Sequence, residues 1–258
     1  MNPVILNNVS KVYKNDKKAL DNLSFEVKEG AITGFVGRNG AGKTTTINIL
    51  AGILKPDQGE VKILGEKINP GDWKYKRKTG FVLEKSNYVE NLTGRQYLEF
   101  ASVMYNLNKN ESKKRIDELL NYLDLNNENK KSIKEYSKGM REKISLATAL
   151  IHNPELTILD EPLEGIDPVS SSNIKKLLLS LINNGKTVFI SSHELGTIEK
   201  ICDEIIIIDK GNLIYQGTFN NLKKKLGIFE KDLNNLSLED LFVKLIGENT
   251  NLKKLSWL

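Results

Sequence analysis

Polar and apolar positions alternate near the start of the chain. Leu23, Phe25 and Val27 are separated by polar residues, the period-two pattern of a strand with one buried face, and Val4–Val9 reads as a second extended piece. Ile32–Val36 is a mostly apolar strand leading into a glycine-rich turn, after which a helix is predicted from about Lys43 to Leu50. The segment PDQGEVKILGEKI predicts two short strands around turns. From residue 93 the period becomes helical. Thr93-Gly94-Arg95-Gln96 has capping-box spacing, and Tyr97, Leu98, Ala101, Met104 and Tyr105 follow on one face. A second helix carries Ile116, Leu119, Leu120 and Leu123. A third opens at Ser137 as N-cap and places Met140, Ile144, Ala147, Leu150 and Ile151 on one face. Strands at Leu156–Leu159 and Thr187–Ser191 are separated by a helix around Ser171–Asn183, and Ile205–Ile208 continues through GNLIYQGT as a hairpin. Strands alternating with helices predict an α/β protein with a parallel core; 93–150 reads as a helical insertion and 219–258 as a mostly helical tail.

Composition adds limits. The chain has 258 residues, 39% hydrophobic and 28% charged, enough for a substantial core in a globular protein. The longest apolar runs, such as Ile205–Ile208, are too short to span a bilayer, and MNPVILNNVSKVY lacks the pattern of a signal peptide. A single cysteine, Cys202, rules out an intrachain disulfide and is expected to be a buried thiol. These features predict a cytoplasmic protein. The net charge of +5 is spread over short clusters such as Lys113–Arg115 and Lys223–Lys225 without interleaved aromatics, which predicts solvated faces and no direct nucleic-acid contact.

Three stretches carry chemistry. GRNGAGKTT spans Gly37, Arg38, Asn39, Gly40, Ala41, Gly42, Lys43, Thr44 and Thr45, and matches a phosphate-binding loop between a strand and a helix. Its glycines let successive N–H groups face phosphate oxygens at a helix N-terminus, Lys43 would reach the β- and γ-phosphates, and Thr44 would ligate Mg²⁺. LTILDE delivers Asp160 to the C-terminal end of a buried strand, where it would hold Mg²⁺, and Glu161 next to it could orient or deprotonate an attacking water. VFISSHE ends another apolar strand at His193, expected on the same edge beside the γ-phosphate; His152 is expected to be structural.

The phosphate-binding loop, YSKGM, LTILDE and SSH, in this order and spacing, resemble the ATP-binding subunits of ABC transporters over about residues 3–218. The resemblance implies a P-loop NTPase fold: a mostly parallel central sheet, an N-terminal antiparallel β part and an inserted helical subdomain at about 86–150. Residues 219–258 would form a helical extension. YSKGM stands where the family usually has Leu-Ser-Gly-Gly-Gln. Ser137 and Gly139 are retained, Met140 follows, and the variant resembles the branch serving bacterial exporters of drugs, peptides, antibiotics or ions. Lys138 replaces a glycine and is expected to point into solvent. By the same resemblance Tyr13 would stack on adenine, and Asp167, in Gly165-Ile166-Asp167, belongs to the loop after the catalytic glutamate. Glu84 occupies the place of a glutamine that touches Mg²⁺ and the membrane partner. The resemblance also implies an ATPase using ATP and Mg²⁺, peripheral on the inner face of the cell membrane through a separately encoded permease. It would pair with a second copy or a paralogue around ATP, so that Ser137 and Gly139 complete the partner's site. A soluble ABC ATPase acting on DNA or ribosomes, and a sensor or immunity subunit, are the alternatives.

Overall fold

A computed structural model describes residues 1–14, 16–84, 88–128, 130–228 and 236–247. Strands β1 (Val4–Tyr13), β2 (Lys17–Val27), β4 (Gln58–Ile63) and β5 (Glu66–Lys67) form an antiparallel sheet in the order β2-β1-β4-β5. The first two run beyond their predicted stretches because the ladder continues through pairs that include a lysine, Lys11 opposite Leu20, Val12 opposite Lys18 and Tyr13 opposite Lys17. Backbone pairing does not need a regular alternation of apolar side chains, so the pattern marked only part of each strand and left out the buried Ala19 and Leu20.

The central sheet contains β3 (Ile32–Gly37), β6 (Thr79–Val82), β7 (Leu156–Asp160), β8 (Thr187–Ser191), β9 (Glu204–Asp209) and β10 (Asn212–Gly217), in the order β10-β9-β3-β8-β7-β6. All neighbours are parallel except the β9–β10 hairpin. Every residue of β3, β7 and β8 is buried, which is why these strands read as near-continuous apolar runs.

Successive side chains feed two cores. Phe35, Ile158 and Phe189 face the antiparallel sheet and α1 (Lys43–Leu50), whereas Val36, Leu159 and Ile190 face the remaining helices. Phe35 lies 5.6 Å from Phe25 and 5.1 Å from Phe189 between ring centroids, joining the two sheets. The second core takes Leu98 from α2 (Gly94–Met104), Ile116 and Leu120 from α3 (Lys109–Tyr122), Ile144 from α4 (Lys138–Leu150) and Leu178 from α5 (Pro168–Asn183).

Thr93 and Gln96 make the expected capping box on α2. Met104 departs from expectation: at the last turn of α2 it is 67% exposed, on the outward face with Phe100 and Val103, while Leu98, Ala101 and Ser102 carry the packing. The helix predicted at Ser171 starts earlier, at Pro168. Asp167 caps it by accepting from the Ser170 N–H at 2.9 Å, and proline suits a first helical position whose N–H has no partner.

After β10 come α7 (Phe219–Lys225) and α8 (Leu238–Ile246), the latter capped by Ser237 and Asp240. The Leu238 N–H donates to Glu199 on α6 (Leu195–Ile201) at 3.0 Å, which seats α8 on the element following β8. Residues 229–235 and 248–258 of the expected tail lie outside the described residues. No helix among the described residues is long and apolar enough to cross a membrane.

Candidate functional site

Four parallel strands end on one edge. β3 runs into Gly37 and the glycine loop, β6 is followed by Glu84, β7 ends at Asp160, and β8 is followed by His193. A cleft of about 770 Å³ opens there. Its lining includes Tyr13, Lys17, Arg38, Asn39, Gly40, Gly42, Lys43, Thr44, Thr45, Glu84, Glu161, Glu164 and His193. Residues spread over the sequence thus converge because parallel crossovers return every strand in the same direction.

The glycine loop takes its shape from close approaches. Gly42, at φ 112°, is the N-cap of α1, and a Cβ there would sit 2.8 Å from the Ala19 carbonyl oxygen. A Cβ on Gly37 would sit 2.6 Å from the Ile208 carbonyl oxygen. No side chain caps α1, so its first N–H groups remain directed at the cleft. Lys43 is buried in the loop and its ammonium donates to the Gly37 carbonyl at 2.7 Å. Tyr13, 41% exposed at the cleft mouth, lies within hydrogen-bonding distance of Thr45 Oγ1 at 3.3 Å.

On the acidic side, β7 and β8 place Asp160 opposite Ser191. The Ser191 hydroxyl, fully buried, donates to Asp160 Oδ1 at 2.5 Å and accepts from the Glu161 N–H at 3.0 Å. The other Asp160 oxygen, Oδ2, is buried without a hydrogen-bond partner. Burial pushes the Asp160 carboxyl above its ordinary range; the Ser191 bond opposes this, and the Glu161 and Glu84 charges add to it. A buried, unsatisfied carboxylate oxygen beside the glycine loop suits a hard cation, and Thr44 and Glu84, whose hydroxyl and carboxylate are hydrogen-bonded at 3.3 Å, offer further oxygen donors. The residues therefore fit Mg²⁺, which needs only a few protein oxygens when phosphates provide others. No cluster of three His, Cys, Asp or Glu ligands forms among the described residues.

Glu161 adopts φ 49°, a left-handed conformation that costs a non-glycine residue energy and recurs at functional sites. It reaches His193, whose backbone N–H and Nδ1 lie 3.1 and 2.8 Å from Glu161 Oε2.

The expected site divides. Gly37 and Ala41 belong to the loop but lie behind the cleft lining, and Asp160 lies beneath it. Ser137, Gly139, Met140 and Asp167 do not line the cleft of their own chain. Ser137 instead caps α4 by accepting from the Met140 N–H at 3.2 Å. Lys138 is exposed to solvent, as expected, and in addition its ammonium pairs with Glu164 at 2.8 Å. His152 is structural as expected, stacked on Tyr105 at 3.7 Å and pushed down to about 4 by burial. Cys202 lies beside Gly34, where burial raises its thiol. Ser191, Lys17 and Glu164 were not anticipated. Ser191 had a signal, the doubled serine closing an apolar strand before His193; Lys17 and Glu164 had none.

Residues 20–164 match the family model described as ABC transporter. The chain is 40% identical over 218 residues to the bacitracin transport ATP-binding protein BcrA of Bacillus licheniformis, covering 84% of this chain and 70% of that protein. It is 39% identical over 220 residues to the linearmycin resistance ATP-binding protein LnrL of Bacillus subtilis (strain 168), covering 85% and 70%. The fold superposes with a TM-score of 0.76 on a dimeric post-hydrolysis ATP-binding cassette, MJ0796, bound to ADP and Pi. That match is 28% identical and covers 83% of this chain and 98% of the other.

Proposed function

The chain belongs to the family of ABC transporter ATP-binding proteins, and we propose that it energises a separately encoded membrane permease from the cytoplasmic face. It binds and hydrolyses ATP as the ATPase subunit of an exporter-type transporter. The bacitracin and linearmycin relatives point to a drug or antibiotic as cargo, recognised by the permease. One surface feature favours such a partner: the outward apolar face of α2, with Phe100, Val103 and Met104 exposed.

In this reading Tyr13 stacks on adenine, and the N–H groups of the loop from Gly37 to Thr45 receive the phosphates together with Lys43. Thr44, Asp160 and Glu84 would hold Mg²⁺, which supplies neutralising charge to the phosphates when bound. Glu161 positions the attacking water and accepts its proton, with His193 fixing the carboxylate through the backbone and ring contacts at 3.1 and 2.8 Å. Ser137, Gly139, Met140 and Asp167 act across a head-to-tail pair, where the α4 N-terminus meets the phosphates of the partner's ATP.

The observation that carries this is the division of the site. Lys43, Thr44, Glu161 and His193 share one cleft, while Ser137 and Gly139 of the same chain lie outside it. The test mixes two inactive variants. Lys43→Ala and Ser137→Arg should each abolish ATPase activity, and their mixture should regain activity from a hybrid dimer with one undamaged composite site. If hybrid dimers form and no activity returns, the pairing is wrong.

A further inference from the structure

The first turn of α4 is seated on the loop that follows Glu161. Lys138 Nζ lies 2.8 Å from Glu164 Oε1, and its stem crosses Gly165, where a Cβ would come within 3.0 Å of Lys138 Cδ. The next residue approaches as closely, here against backbone: a Cβ on Gly139 would lie 3.0 Å from the Gly165 carbonyl oxygen. Glu164 belongs to two places at once. It lines the cleft together with Glu161 and His193, and its N–H donates to the Glu161 carbonyl at 3.1 Å, while its carboxylate pairs with Lys138.

This loop carries strain at Glu161, a non-glycine residue at φ 49°, and turns at Gly165, whose φ of 74° glycine adopts without cost. A strained turn holds its shape only where its surroundings over-determine it. The Lys138–Glu164 pair supplies such a restraint, from a residue 26 positions earlier in the chain. It also answers a charge problem. Glu84, Glu161 and Glu164 all face the cleft that receives polyanionic ATP, and Lys138 compensates the one most distant in role from the reaction. The hydrogen bond between them draws the Glu164 carboxyl below its ordinary range and lifts the Lys138 ammonium above its own.

We propose that Lys138 is a positioning residue for ATP hydrolysis: by pairing with Glu164 of its own chain it holds the Glu161–Asp167 loop in its working geometry and ties that loop to the α4 N-terminus. The inference rests on Glu161 being the carboxylate that serves the attacking water. Each α4 would face the partner's ATP, so the pair makes one chain's hydrolytic loop and its contribution to the other site move as a unit. The side chains are 57% and 47% exposed, so the pair adds little to global stability and its effect falls on position.

The test uses the purified full-length chain and measures kcat, KM for ATP and Tm. Lys138→Met and Glu164→Gln should each lower kcat about fivefold with KM within about twofold, and the double variant should be no worse than either single one. Tm should stay within about 2 °C, as for an exposed pair. Lys138→Arg, and the exchange Lys138→Glu with Glu164→Lys, should recover at least about half the activity. A loss in Lys138→Met that Glu164→Gln does not reproduce would mean that the lysine acts elsewhere, on the partner's phosphates for example, and would overturn the proposal. So would an exchange variant without recovery, or a kcat loss matched by a lost folded fraction. If Glu161→Gln abolishes turnover while the pair variants change nothing, the proposal fails and the catalytic reading stands. If Glu161→Gln retains turnover, that reading falls and the proposal with it.

Discussion

His193 grips Glu161 twice: its backbone N–H donates to Glu161 Oε2 at 3.1 Å, and its Nδ1 lies 2.8 Å from the same oxygen. The contact exists because β7 and β8 are adjacent and parallel, so the residues just past their ends meet. Two contacts on one oxygen fix the direction of the carboxylate as well as its position.

Glu161→Gln preserves shape but removes the proposed proton acceptor. Turnover should fall by about 10²-fold or more while ATP binding persists, so that an ATP-bound dimer accumulates. Size-exclusion chromatography with ATP checks this, and an unchanged monomer with undiminished turnover would count decisively against it. His193→Ala, which frees the carboxylate, should lower kcat by about 10²-fold with a smaller change in KM.

Ser191→Ala should harm fold and activity together. It removes the donor to Asp160 Oδ1 and the acceptor for the Glu161 N–H, leaving buried polar groups unpaired. The expected loss is about 1–3 kcal/mol in urea unfolding without nucleotide, accompanied by weakened ATPase activity. A variant with wild-type stability and turnover would show that the bridge contributes nothing.

Glu84 places a carboxylate next to Thr44, within the cleft proposed to receive the phosphates. Glu84→Gln should tighten ATP binding in EDTA by about fivefold, the scale of one charge interaction of about 1 kcal/mol in a solvated cleft. With Mg²⁺ present the gain should shrink, since the carboxylate then faces a cation. Titration with a fluorescent ATP analogue under both conditions reads the difference; weaker binding in EDTA would contradict it.

Glu142, one helical turn after Lys138, has its carboxyl lifted to about 7 by burial, with Lys138 opposing and Glu164 reinforcing the shift. A folded-state pKa above the unfolded value means that the folded protein binds the proton more tightly. The associated stability is complete below about pH 4.5 and is lost as pH rises through about 7. Glu142→Gln escapes that loss. Its Tm should match wild type near pH 5 and exceed it at pH 8 by about 2–4 °C, from about 1 kcal/mol once partial exposure is allowed for. Equal Tm values across this range would refute the shift.

Much of the architecture was legible because it depends on local chemistry. The period-two and continuous apolar runs marked β2, β3, β7 and β8, and Thr93, Ser137 and the glycines of residues 37–42 marked helix starts. Boundaries were less legible where backbone or capping geometry outweighed side-chain polarity, as in the extension of β1 to Tyr13 and the early start of α5 behind Asp167. Met104 was misplaced because one helical period fits two adjacent faces, and the choice depends on which neighbours pack there.

By itself the sequence determined the α/β architecture, the glycine loop between β3 and α1, and the strand-end placement of Asp160 and His193, because spacing along a strand or around a turn fixes these. Only the tertiary structure decided that Ser191 bridges Asp160 to Glu161, that Asp160 Oδ2 is left without a partner, and that Lys138 reaches Glu164 across Gly165. Each depends on the distance between elements remote in the chain. That distance is set by sheet order and by how closely glycine lets two backbones approach, and neither quantity is written in any local stretch.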